Sequence, residues 1–217
     1  MEIVTRLLIL DSLTAAAFLA IWYFCFFRIN RRKGRAALHW VEAACSGKGS
    51  IIASQWLSAS RLRAQVSFTS HWFEHAQVTV RLRPRPLPFH WLASLWRKQK
   101  ETLTFEADLD FVPAFNLEVW RHRWITHPRS SERTRNWMVT RPGPVVLTTR
   151  THWSQELTPV VNALMTSRGH NLVSVRFRPN SPHLAATVPL DALTDRGAAS
   201  DFLGMLLELA AGAAHRQ

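Results

Sequence analysis

Residues Leu7 to Phe27 form an almost unbroken apolar run, and Arg28, Arg31, Arg32, Lys33 and Arg35 follow it directly. Wound as a helix at about 1.5 Å per residue, the run reaches about 30 Å, the thickness of a bilayer's hydrocarbon core. The chain is therefore expected to begin with one transmembrane helix. A cleavable signal sequence is the competing reading, and it requires small residues where the apolar stretch ends. Here the stretch ends in Trp22, Tyr23, Phe24, Phe26 and Phe27, residues that suit a membrane interface. Cys25 follows Trp-Tyr-Phe, which is no lipoprotein cleavage site. The anchor is read as retained.

Flanking charge sets the expected orientation. Five basic residues follow the run and only Arg6 precedes it, so the body is expected on the cytoplasmic side of the cell membrane. Asp11 lies about one turn inside the run, close enough to the helix start to reach the headgroups and to favour the positive end of the helix dipole.

The organisation follows: an anchor over 1–29, a basic juxtamembrane segment over 30–49, and a β-rich α+β domain over 50–217. Hydrophobic residues at 47% and ten Trp exclude a disordered body. Two cysteines exclude a disulfide framework and fit a reducing compartment. Charge is unevenly placed. Between Arg28 and Lys100 fourteen Lys/Arg face only Glu42 and Glu74, whereas from Glu101 onward twelve Arg meet eleven acids. Basic residues beside an anchor gain about 1 kcal/mol each from anionic lipid.

Period-two alternation predicts the sheet. Leu62, Ala64, Val66 and Phe68 alternate with Arg61, Arg63, Gln65 and Ser67; Val78, Val80 and Leu82 mark a second strand within 77–83. Leu103, Phe105, Ala107, Leu109 and Phe111 mark a third within 102–111. Such patterns belong to antiparallel sheets with one wet face. Weaker strands are expected over 50–57, 114–124, 137–140 and 145–149. Thr158-Pro159 and Gly169 bracket an expected helix. A hairpin over 172–178 and 184–188 and a last helix near 198–211, burying Phe202, Leu203, Leu206 and Leu209, complete the prediction. The fold class is α+β: a single transmembrane helix, a mainly antiparallel sheet and two C-terminal helices.

Between the second and third strands, Arg83-Pro84-Arg85-Pro86-Leu87-Pro88 reads as a stiff extended connector. The residues after it place Phe89, Leu92 and Trp96 at helical spacing, with Trp91 beside them and Arg97 and Lys98 at the end. This describes either an interfacial helix or an ordinary helix packed over the sheet.

Catalytic signals are weak. His71-Trp72-Phe73-Glu74-His75 matches the H-x-x-E-H pattern of the inverzincin metalloproteases, in which two His bind zinc and the Glu activates water. That chemistry needs one helix face, whereas this pentapeptide falls in a short connection between strands. His122, His127 and His152 lack metal-ligand spacing. Ser46-Gly47-Lys48-Gly49-Ser50 lacks the first Gly and the Ser or Thr after Lys of a phosphate loop. Glu106, Asp108 and Asp110 share a strand face and are expected to meet arginines of a neighbouring strand. No pattern calls for a cofactor.

Arg-x-Arg recurs at Arg61/Arg63, Arg81/Arg83, Arg121/Arg123 and Arg176/Arg178. In a strand each pair projects to one side, so neighbouring strands would gather four guanidinium groups. The reading these features support is a membrane-anchored, non-enzymatic binding or scaffold module. Arg31, Arg32, Lys33 and Arg35 are assigned to the anionic inner leaflet, Arg61, Arg63, Arg81 and Arg83 to anionic contacts, and Trp91, Trp96, Arg97 and Lys98 to the interface. A protein partner is compatible with it. The alternatives are a tethered metallohydrolase using His71, Glu74 and His75, and a nucleic-acid-binding module.

Overall fold

A computed structural model describes residues 2–113, 115–121, 137–140, 145–150, 173–193 and 196–214. Helix α1 spans Glu2–Cys45 without a break, crossing the compositional boundary at residue 29. Its first half holds a span long and apolar enough to cross a membrane, and none of that span is buried in the protein. Its second half buries Asn30, Gly34, Ala37, Trp40, Val41, Ala44 and Cys45, spaced three and four apart along one helix face. The helix closes in a turn where Lys48 N–H donates to Cys45 O at 2.9 Å and Gly47 takes φ 75°.

Strands follow as β1 (Gly49–Ser58), β2 (Arg61–Phe68) and β3 (Phe73–Arg81), then helix α2 (Pro88–Trp96) and β4 (Thr102–Leu109). Beyond them come β5 (Leu117–Arg121), β6 (Trp137–Thr140), β7 (Val145–Arg150), β8 (Ser174–Phe177) and β9 (Leu184–Pro189). Helix α3 spans Arg196–Ala214. The described strands form one sheet in the order β1-β2-β3-β4-β9-β8-β5-β7-β6, and every pairing in it is antiparallel.

Alternation decides which face is dry. Leu62, Ala64, Val66, Val78, Val80, Leu103, Phe105, Ala107 and Leu109 are all buried, while Arg61, Arg63, Gln65 and Ser67 are exposed. The lower half of α1 and the helix α3 cover the dry face; Trp40 and Phe202 meet with ring centroids 5.5 Å apart. Phe202, Leu203, Leu206 and Leu209 are buried as their spacing predicts.

The acidic strand departs from expectation. Glu106 stands opposite Gln77, which donates to it at 2.9 Å, and Asp108 stands opposite Glu74. Neither faces an arginine in the neighbouring strand β3, because the antiparallel register sends that strand's arginine to the other end of the sheet. The helix expected over 158–169, together with His122, Arg123, His127 and His152, lies outside the described residues.

A candidate membrane-surface site

A polar cluster joins α1 to the sheet. Asn30, wholly buried, donates through Nδ2 to Ala59 O and to Arg83 O, each at 3.0 Å. Its Oδ1 accepts from Arg85 at 2.9 Å. Arg85 also pairs with Glu101, which accepts from Lys33 Nζ at 2.8 Å and from the Arg83 backbone N–H at 3.1 Å. Burial alone would push the Glu101 carboxyl up. The hydrogen bonds from Arg85, Lys33 and the Arg83 backbone, with the Arg85 charge, outweigh it and hold the carboxyl below its ordinary value. About two turns before Asn30 on α1, Trp22 Nε1 donates to Arg85 O at 3.1 Å. The helix that carries the candidate span is thus bonded to the domain through both the side chain and the backbone of Arg85.

The connector after β3 delivers α2 to the same level. Pro88 sits in its first turn, where a missing N–H costs nothing. Trp91 packs against Trp22 and Phe26 of α1, with ring centroids 5.6 and 6.1 Å away. Ser94 is buried on that inner side. The other face is bare: Phe89 is 86% exposed, Leu92 63% and Trp96 91%. An ordinary helix packed over the sheet would bury that stripe, so α2 is not one. It ends with Gln99 N–H donating to Ser94 O and Lys98 N–H to Leu95 O, both at 2.9 Å, with Lys98 in the left-handed region at φ 49°. This is a Schellman cap with lysine in the position glycine usually takes. Arg97 and Lys98 are exposed at that end.

The predicted arginines separate into groups. Arg32 and Arg35 are exposed, and Lys33 is committed to Glu101. The Arg31 guanidinium lies between two rings, 4.8 Å from the centroid of Phe27 and 4.4 Å from that of Trp56. Its Nε is buried with no hydrogen-bond partner among the described residues. Arg61 stands directly opposite Arg81 on neighbouring strands, with Arg63 one step along the same wet face opposite Thr79. Arg83 does not join them: its side chain turns to Gln99 and donates from Nε to the backbone O at 3.0 Å. Arg176 stands opposite Glu118, on the far part of the sheet.

The H-x-x-E-H segment is divided between a turn and a strand. His71 lies in the turn, stacked on Trp72, while Glu74 and His75 open β3. Glu74 faces Asp108 across the ladder, and His75 Nδ1 lies 3.7 Å from Asp108 Oδ2. A turn followed by a strand that bulges at His75 (φ 46°) does not present these residues on one helix face, so the pattern lacks the scaffold its zinc chemistry requires. Among the described residues no group of three or more His, Cys, Asp or Glu side chains is arranged to hold a metal ion. The glycine-lysine turn at 46–50 follows the end of α1 and enters a strand. A phosphate loop instead leads into a helix N-terminus.

Trp22 entered the sequence reading only as one of the interface aromatics, and Asn30, Arg85 and Glu101 did not stand out in it. Each is unremarkable alone, and only the fold brings positions 22, 30, 85 and 101 together. No protein-family model and no curated protein matches the chain. Among solved structures it is similar to the crystal structure of the mycobacterial trehalose monomycolate transport factor A, TtfA, at 12% identity and a TM-score of 0.41, over 82% of this chain and 97% of that one. A likeness that distant says nothing of what this chain binds.

Proposed function

We propose that the chain is a single-pass membrane protein whose β-rich domain is a non-enzymatic binding or scaffold module, held against the anionic leaflet at two points. The observation that carries this is the bare apolar stripe of α2. Phe89, Leu92 and Trp96 face away from the protein, while Trp91 fixes the same helix beside Trp22 and Phe26, at the end of the span. Buried about 5–10 Å into the headgroup and acyl boundary, such a stripe removes its own hydration cost. Charge on the wet sheet face supports the same pose. Arg61 and Arg81 lie at the end of the strands near Asn30, and Glu74 and Asp108 lie at the other. A negatively charged leaflet attracts the first end and repels the second. The basic flank of α1 at Arg28, Arg31, Arg32, Lys33 and Arg35 favours a cytoplasmic domain.

The test uses the full chain in anionic vesicles, with exposed Cys25 replaced by Ser and a nitroxide placed at Phe89→Cys, Trp96→Cys or Arg63→Cys. Positions 89 and 96 are expected to be relaxed by oxygen more than by a water-soluble nickel chelate, and position 63 the reverse. Equal water exposure at all three would sink the two-point attachment.

A further inference from the structure

The cleft between the β1–β2 turn and the end of β3 holds about 280 Å³, and its lining includes Leu57, Ser58, Ser60, Arg61, Arg81 and Gln99. Two of those residues should repel each other. Arg61 and Arg81 are direct partners across the ladder. Like charges so placed destabilise a sheet unless something of opposite sign lies between them. Among the described residues neither guanidinium has a carboxylate partner. The cost is retained in a cleft whose walls are fixed. Leu82 N–H donates to Ser60 O at 2.8 Å, Asn30 holds Ala59, and the Arg83 side chain holds Gln99.

We propose that this cleft binds the phosphate of an anionic phospholipid headgroup, with Arg61 and Arg81 as paired donors. Guanidinium groups match phosphate oxygens with two parallel N–H bonds each, and no other side chain offers that fork. Ser58, Ser60 and Gln99 add neutral donors beside it. Depth selects a lipid over a free anion. The turn that forms one wall is bonded to Asn30, three residues past Phe27, or about 4.5 Å further along the helix. The headgroup layer is itself about 5–8 Å thick on each side of the hydrocarbon core. A lipid phosphate therefore meets the cleft without leaving its leaflet, and the exposed Leu57 side chain borders the glycerol and acyl end.

This assignment rests on the membrane-held pose, and the test separates the two. The full chain in zwitterionic detergent micelles is titrated with short-chain phosphatidylglycerol and, separately, with inorganic phosphate, following arginine Nε–H resonances. Saturable shifts at Arg61 and Arg81 are expected with the lipid. Arg61→Gln or Arg81→Gln should weaken binding about tenfold, whereas Arg63→Gln, which removes the same charge one step along the face, should change it less than about twofold. An equal loss in Arg63→Gln means diffuse attraction and overturns the site. Inorganic phosphate binding as tightly as the lipid overturns the headgroup assignment, and an absence of saturation overturns both. The nitroxides on α2 report the pose independently: inserted labels without saturable lipid binding would remove the cleft and leave the two-point attachment standing.

Discussion

Arg85 donates to the Oδ1 of Asn30, 55 residues earlier in the chain, while pairing with Glu101. That one guanidinium connects helix α1 to the start of β4. Asn30 and Glu101 are both buried, so each needs its partner. Removing one member of a buried ion pair costs about 3–5 kcal/mol, since the other charge stays behind unpaired. Glu101→Gln is expected to lower the unfolding free energy by about that amount, read by denaturant unfolding in micelles. Lys33→Ala should cost under about 1 kcal/mol, because half-exposed Lys33 is screened by water.

The same carboxyl sets an acid limit. Its value is lowered from the ordinary 4.5, so its contribution to stability is complete above that value. It is lost as pH falls through the lower folded-state value. A pH series of thermal unfolding should show a fall in the wild-type chain below 4.5 that Glu101→Gln lacks. An identical acid dependence in both would mean that another group controls it.

Strands β2, β3 and β4 were legible because one wet face forces polar and apolar residues to alternate, and Leu62, Val78 and Phe105 fall on the buried side accordingly. The lower half of α1 was not. Its charges suggest a solvated segment, yet Gly34, Ala37, Val41 and Ala44 form a narrow stripe of small residues that packs on the sheet. Composition registers the five cations and misses the stripe. The meeting of Arg61 with Arg81 needed the strand register, and the Asn30, Arg85 and Glu101 cluster needed the whole fold. The α2 spacing alone suited either of two roles; exposure of Phe89 and Trp96 separated them.

Gly34 packs directly against side chains of β1 and β2. A Cβ there would lie 2.5 Å from Trp56 Cη2 and 2.7 Å from Cζ2, with Leu62 Cδ2 at 3.2 Å. Gly34→Ala gains helix propensity but must displace the indole that supports Arg31. The expected net effect is a loss of about 1–3 kcal/mol, as for other overpacked sites. A double-mutant cycle with Trp56→Leu should recover most of it. Equal losses with and without Trp56 would place the clash elsewhere.

Lys98 holds a left-handed conformation, φ 49°, to complete the cap of α2. Non-glycine residues pay about 1–2 kcal/mol there. Lys98→Gly should slow hydrogen exchange at the Lys98 and Gln99 amides, which close the cap, by about fivefold, equivalent to about 1 kcal/mol of local stability. Lys98→Val should speed it. Both changes remove the same charge, so a shared direction would attribute the effect to charge and not to backbone strain.

Trp91 decides whether α2 and α1 move as one body. Its ring is the contact on α2 for both Trp22 and Phe26, and Trp22 keeps its separate bond to Arg85 O. Aromatic pairs of this kind contribute about 0.5–1.5 kcal/mol each beyond their buried area. Trp91→Ala should therefore release α2 without unfolding the domain, whose core lies on the far side of the polar cluster. A nitroxide at Trp96→Cys in vesicles should become more mobile while remaining inserted, because Phe89 and Leu92 still favour the interface. If its mobility and depth were unchanged by Trp91→Ala, α2 would be held by the membrane alone, and its packing on α1 would have no part in positioning the domain.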